Sequence, residues 1–275
     1  MIADHEPLIR LGAFFSIFAA VAAWEVLAPR RSLIATRRAR WPNNLGIVLL
    51  NTLIVRAIFP AGAVGIALAA EAKGWGLLNA FAAPLWFKIA LAFLLLDLAI
   101  YLQHVLFHAV PALWRLHRMH HADLGFDVTT GARFHPIEIV LSMSIKAVVI
   151  AALGAPAIAV LAFEIALGAT ALFNHANARL PAGLDRGLRF LVVTPDMHRV
   201  HHSAVPSETN SNFGFNLPWW DRLFGTYRAE PAAGHAAMTI GLAAFRDARE
   251  LRLDRMLTQP FRGEAGEYTI ARKEI

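Results

Sequence analysis

The 275-residue sequence contains no cysteine. That excludes disulfides, iron–sulfur ligation and thiolate metal sites. Charge is also scarce: Asp, Glu, Lys and Arg make up 17% of the residues, against 57% hydrophobic. So large an apolar share places the chain among membrane proteins. No G-x-G-x-x-G fingerprint follows a strand-like run, which leaves no nicotinamide or flavin site of that kind, and there is no fused haem domain. Apart from one duplicated histidine motif there is no internal repeat and no low-complexity block. The formal net charge of +6 is not arranged as a basic stripe interleaved with aromatics. It therefore speaks against nucleic acid and for positively charged membrane flanks. Residues 1–7 lack a basic n-region, and the apolar run behind them is too long for a signal sequence; a retained helix is expected.

What the sequence does have is long hydrophobic runs. Residues 8–27 are interrupted only by Arg10 and Glu25, enough to cross a hydrocarbon core of about 30 Å. Arg30, Arg31, Arg37, Arg38 and Arg40 follow; by the positive-inside rule this loop is cytoplasmic and the N-terminus lies outside. Residues 44–70 are the second span, with Arg56 in its middle and Pro60 beyond it. An arginine in a span needs a partner, and Asp97 and Glu164 are the candidates. Residues 85–110 return as a helix roughly 39 Å long, and Pro111 ends it. The run 137–173 is divided by Gly154-Ala155-Pro156 and is expected to be a hairpin that enters and leaves on the cytoplasmic side. Residues 111–136 and 174–260 are left as a cytoplasmic cap, with a short helix at 114–122, an amphipathic helix at 246–257 and a frayed polar tail from 262. The expected fold class is an all-α integral membrane protein. It is a single membrane domain, a bundle of about four transmembrane helices, the last drawn as a hairpin, under a cytoplasmic helical cap.

The histidines cluster. His104-x-x-x-His108 is followed by His117-x-x-His120-His121, and the second motif recurs as His198-x-x-His201-His202. Positions i, i+3 and i+4 share one helix face, so each cluster can aim two or three imidazoles at one spot. Four protein ligands saturate one zinc-type ion; eight imidazoles suit two ions. A deep third helix places His104 and His108 at or just beyond the cytoplasmic interface. Asp97 and Tyr101 lie on the same stripe and are candidates either for fixing imidazole tautomers or for hydrogen bonds between helices.

These motifs, with Asp97-x-x-x-Tyr101-x-x-His104, His135-Pro136-Ile137-Glu138, Asn174-His175, Asn212-Phe213-Gly214 and Trp219 to Tyr227, make residues 85–228 resemble the fatty acid hydroxylase/sterol desaturase superfamily of integral membrane di-iron oxygenases. The resemblance implies two ferrous ions, which zinc can replace in purified protein. It implies O2 as co-substrate, a membrane lipid as substrate, and an external electron donor of ferredoxin or cytochrome type. The reaction class it implies is hydroxylation or desaturation at an unactivated C–H bond, of a sterol, a fatty acyl chain or a related lipid.

His175 matches an additional ligand in such relatives, some of which carry another histidine where this chain has Arg179. His104, His108, His117, His120, His121, His175, His198, His201 and His202 are therefore the expected metal ligands. Asp97, Tyr101, His135, Glu138, Asn174 and Asp196 are candidates for the surrounding hydrogen-bond shell, His135 being open also to ligation or helix capping. His5 and His235 lie outside every motif and read as surface residues. Trp219 to Tyr227 reads as packing over the site. The competing function is a membrane zinc-binding or metal-transport protein without redox activity; histidines gathered at one interfacial end, not along a path, disfavour transport.

Overall fold

A computed structural model describes residues 2–270, with side chains from His5 onward. Its α-helices are α1 (Ile2–Leu27), α2 (Arg37–Ile58), α3 (Gly62–Lys73), α4 (Leu85–Ala109), α5 (Pro111–His121), α6 (Pro136–Leu153), α7 (Ala157–Asn174), α8 (Ala182–Leu188), α9 (Pro195–His201), α10 (Pro206–Thr209), α11 (Trp219–Leu223), α12 (Gly234–Ala237) and α13 (Leu253–Thr258). Among the described residues the only strand-type pairings are two isolated bridges, Pro29 with Ala178 and Ser203 with Ile240.

Five segments are long and apolar enough to cross a membrane: His5–Leu27, Arg37–Asn79, Leu85–Ala109, Pro136–Leu153 and Ala157–Asn174. The chain is thus a multi-pass membrane protein. Residues 44–70 are not one continuous helix. Pro60 offers no N–H and clashes with a preceding helical turn, so the segment divides into α2 and α3 at Phe59–Ala61. Arg56 ends up exposed in the last turn of α2 and makes no ion pair among the described residues. Glu164 pairs instead with Lys146 and with Arg10 at 3.1 Å.

The hairpin at 137–173 divides where expected, and each of its arms is long and apolar enough to cross a membrane. Each arm has 18 residues, about 27 Å of helix. Gly154 closes α6 in the left-handed conformation, φ 62°, its N–H reaching Ile150 O and Ala151 O. The turn lies against the α3–α4 turn: a Cβ on Gly76 would stand 2.1 Å from Gly154 N. Two glycines are needed there because two backbones touch. Both hairpin arms therefore run the length of the bundle and bring Glu138 and His175 back to the histidine end. The apolar core lies between α3, α4, α6 and α7, around Leu96, Ile150, Val160 and Phe163.

The cap covers the other end. The expected helix at 246–257 is broken into a 3-10 turn, Ala248–Leu251, and α13, with Arg252 extended between them. Leu251 and Met256 are both buried. Five residues apart on one helix they would point about 140° apart; the break lets both face inward. Of the tail expected to be frayed, residues 271–275 lie outside the described residues, and residues 262–270 are packed: Tyr268 stacks on Trp114 and donates to Ala204 O at 2.9 Å.

Candidate metal centre

α5 starts at Pro111, whose fixed φ and missing N–H suit a first helical position. The loop after it is anchored by buried charge. Arg40 of α2 donates from Nε and Nη2 to the two carboxylate oxygens of Asp123, each at 2.7 Å, and from Nη1 to Asp127 at 2.5 Å. Burial pushes the Asp123 carboxyl up, but Arg40 and Arg133 together hold it well below the usual carboxylate range. This bidentate arrangement ties α2 to the chain leaving α5. Glu25 adds a second tie, accepting from Val128 N and Asn177 N at 2.7 and 2.8 Å.

Nine histidines from α4, α5, α7's end and α9 converge in two buried groups. One is His104, His108, His117, His121 and His201; the other is His120, His175, His198 and His202. Within each group one ring nitrogen per residue lies within 4.8 Å of all the others. The duplicated motifs do not each serve one group. His117 and His121 go one way and His120 the other; His198 and His202 go one way and His201 the other.

Six of the nine outer nitrogens are tied off. His104 Nδ1 meets Phe213 O at 2.7 Å, His120 meets Arg133 O at 3.1 Å, His175 meets Ala171 O at 2.8 Å and His201 meets Ser211 O at 2.8 Å. His117 Nδ1 meets Glu138 Oε1 at 2.6 Å, and His108 Nδ1 meets Asn210 Oδ1 at 3.1 Å. A carbonyl or carboxylate oxygen only accepts, so each of these Nδ1 atoms carries the hydrogen, leaving the Nε2 lone pair facing inward.

Those lone pairs point at one another. His104 and His117 Nε2 are 3.1 Å apart, and His120 and His175 Nε2 are 3.2 Å apart. Two lone pairs at that distance repel unless a cation lies between them. Burial, reinforced by neighbouring imidazoles, pushes His120, His121, His198, His201 and His202 well below the ordinary histidine value, and burial takes His175 to about 3. A proton is therefore a poor substitute for a metal ion. Nitrogens bound about 2.1 Å from one ion are about 3–3.4 Å apart, which is the spacing observed. His121 has neither ring nitrogen bonded within the protein, and Nε2 of His108 and His201 is likewise unpartnered although buried. Neutral, buried, inward-facing imidazoles are the donor set that first-row transition ions take; the residues fit two such ions.

The surrounding shell differs from expectation in several places. Glu138 does bond a cluster histidine. Asp97 meets no imidazole and no arginine; Trp220 Nε1 donates to its Oδ2 at 2.8 Å. The Tyr101 hydroxyl pairs with Thr226 Oγ1 at 2.9 Å. Both partners, Trp220 and Thr226, come from the segment that follows Phe213 and packs on this face of α4. His135 caps α6, accepting from Ile137 N at 3.2 Å, and belongs to neither group. Asn174 donates to Phe215 O at 3.1 Å. Asp196 pairs with Arg30 at 3.0 Å and with Arg199. His5 is exposed as expected, whereas His235 is buried beside Glu230, 2.9 Å away. Four of the groups that orient imidazoles are backbone carbonyls, which no residue type announces.

Three comparisons bear on this site. The Fatty acid hydroxylase family model matches residues 89–226. Ornithine lipid hydroxylase OlsE of Rhizobium tropici is 32% identical over 148 residues, 54% of this chain and 44% of that protein. Alkylglycerol monooxygenase of Xenopus tropicalis is 29% identical over 152 residues, 51% of this chain and 30% of that protein; its Homo sapiens counterpart is 28% identical over 142 residues, 50% and 30%. The matched stretch thus spans less than half the length of each of these relatives. No solved structure matches the chain.

Proposed function

The chain belongs to the fatty acid hydroxylase family, and from that premise we propose that it is a membrane-bound, O2-dependent di-iron enzyme that hydroxylates a polar membrane lipid. The observation that carries this is the pair of buried imidazole groups in which the Nε2 atoms of His104 and His117, and of His120 and His175, face one another at 3.1–3.2 Å while the Nδ1 atoms of those four are bonded elsewhere. Hydroxylation is preferred to desaturation because the relatives above are named a hydroxylase and monooxygenases.

Two iron ions held by His104, His108, His117, His121 and His201 and by His120, His175, His198 and His202 supply the reductive activation of O2 needed to attack an unactivated C–H bond. Overall, R–H, O2, two electrons and two protons become R–OH and water. The electrons come from a separate ferredoxin- or cytochrome-type donor. The chain's own residues position and exclude. Glu138 and the carbonyls of Phe213, Ser211, Arg133 and Ala171 hold hydrogens on the outer nitrogens, which fixes the tautomer and ring direction before any ion arrives. Asn210 is itself fixed by donating to Tyr268 O at 2.8 Å, so its oxygen faces His108. Phe134 lies flat on His120, ring centroids 4.4 Å apart, and Phe213 stands edge-on to His104, His108 and His201. These rings keep water from the imidazoles. The histidine end of the bundle and the basic loop are assigned to the cytoplasm by the arginines of residues 30–40.

The test is O2 uptake by purified protein loaded anaerobically with ferrous iron and chemically reduced, in nanodiscs of total membrane lipid. Uptake coupled to a lipid product with one added oxygen, absent in His121→Ala, is the expected result. Full loading with one metal ion per chain, or uptake unchanged in His121→Ala, refutes it.

A further inference from the structure

A second concave site lies on the cap, apart from the two histidine groups. It is a cleft of about 750 Å³ between α8 and the segment from α11 to Glu230. Five arginines line it: Arg30, Arg179, Arg186, Arg189 and Arg222. Its three carboxylates are already engaged. Asp185 pairs with Arg189 at 2.7 Å, Asp196 with Arg30 at 3.0 Å and with Arg199, and Glu230 with His235 at 2.9 Å. Among the described residues Arg179, Arg186 and Arg222 have no carboxylate in ion-pair contact, and all three are exposed. Arg222 is held over the Tyr227 ring at 4.1 Å, with Nη2 donating to Arg189 O at 3.1 Å. Three uncompensated guanidiniums facing one cavity select an anion, and their forked donors suit phosphate or carboxylate oxygens.

Phe190 lines the cleft, and exposed apolar side chains continue from it to Leu191 and from Arg222 to Leu223 and Phe224. Phe190, Leu191, Leu223 and Phe224 are 63%, 64%, 70% and 51% exposed. Trp219 joins the two sides, its Nε1 donating to Phe190 O at 2.7 Å. This rim does not lie at the outer end of the cap. Trp220 bonds Asp97, and Phe224 stacks on Tyr101 at 5.5 Å. Asp97 precedes His104 by two turns of α4, about 10 Å of helix, on the side toward the bundle's middle. α11 therefore lies as deep in the bundle as the membrane-facing part of α4. Large apolar side chains exposed at that level face lipid, and the arginines behind them stand at headgroup height. Basic pockets between elements at the membrane surface hold anionic headgroups in this way.

We propose that this cleft binds the anionic headgroup of a membrane lipid, with Arg179, Arg186 and Arg222 as its cationic contacts. The apolar rim favours a lipid over an acidic protein, which needs no such rim. The site goes beyond the proposed reaction and stands whether or not the histidines hold iron.

The experiment uses the full chain purified in a neutral detergent and its tryptophan fluorescence, since Trp219 and Trp220 adjoin the cleft. Dihexanoyl phosphatidylglycerol, dihexanoyl phosphatidylcholine and inorganic phosphate are titrated separately. Saturable binding of the phosphatidylglycerol is expected, at least tenfold tighter than of the other two. Arg179→Gln/Arg186→Gln should weaken it at least tenfold, as should Arg222→Gln alone, while Arg249→Gln/Arg252→Gln on the far exposed surface should not. Because Arg179 and Arg186 are exposed, the first pair is expected to melt like the native chain; if it does not, Arg186→Glu alone is the arm that decides. Equal binding of the two lipids, or unchanged binding in the arginine variants, overturns the proposal. Phosphate binding as tightly as phosphatidylglycerol makes the cleft a free-anion site and also overturns it. So does loss of binding to an acidic redox protein in variants of a chain that takes up neither lipid.

Discussion

Glu138→Ala tests the site most directly. In the native protein His117 Nδ1 donates to Glu138 Oε1 at 2.6 Å, both groups being nearly inaccessible at 2% and 5% exposure. A hydrogen bond to a charged acceptor is worth about 1.5–3 kcal/mol, and one tenfold step in affinity is about 1.4 kcal/mol. Removal of the carboxylate should therefore cost the ion at the five-histidine group about tenfold to a hundredfold in affinity, the usual loss when a group behind a ligand is deleted. The four-histidine group has no contact with Glu138 and should keep its ion. In a chelator titration of metal-loaded protein, Glu138→Ala should then weaken one ion relative to the native chain and leave the other unchanged. Glu138→Gln keeps an oxygen acceptor and the tautomer but loses the charge, so its loss should fall between native and alanine. Melting temperature with saturating metal serves as the control for folding. Two ions of native affinity in Glu138→Ala, or equal weakening of both, would refute the assignment of His117 and of the two groups.

Arg40→Ala leaves Asp127 buried without its cation and Asp123 with only Arg133, 3.7 Å away, and should cost about 3–5 kcal/mol, read as a lower melting temperature and weaker metal retention; Arg40→Lys, unable to bridge both carboxylates, should rescue little. The metal-free protein should be acid-labile. Burial lowers His120, His121, His175, His198, His201 and His202, so the unfolded chain takes up protons below about pH 6.5 that the folded chain refuses. Stability is then fully present above that pH and falls as pH drops, by up to about 1.4 kcal/mol per unit for each such histidine; a flat melting temperature between pH 7.5 and 5.5 contradicts this. Trp220→Phe should destabilise by about 1–3 kcal/mol because Asp97 loses one of its donors, and Asp97→Leu in the same chain should recover part of that loss in thermal unfolding. Sidedness is read from single cysteines at three exposed positions: Ser32 and Glu230 should resist an impermeant thiol reagent in intact cells, and Ala80 should react.

The sequence by itself determined that this chain spans a membrane and gathers its histidines at one end of a helix bundle. Both follow from local rules. A run of some twenty apolar residues is its own evidence for a span, and i, i+3, i+4 spacing places imidazoles on one face whatever they pack against. The hairpin at Gly154-Ala155-Pro156 was legible because glycine and proline act on their own backbone. The break at Pro60 was legible in principle from the same chemistry.

Only the tertiary structure decided how the nine imidazoles divide. His120 leaves His117 and His121, and His201 leaves His198 and His202, because each short helix presents one face to two centres. It also decided what orients them. Phe213, Ser211, Arg133 and Ala171 act through backbone carbonyls, and a carbonyl is present at every residue, so no side-chain pattern marks it. Asp97 misled for a related reason: periodicity gives the face of its helix but not the partner opposite, and that partner, Trp220, arrives from 123 residues away.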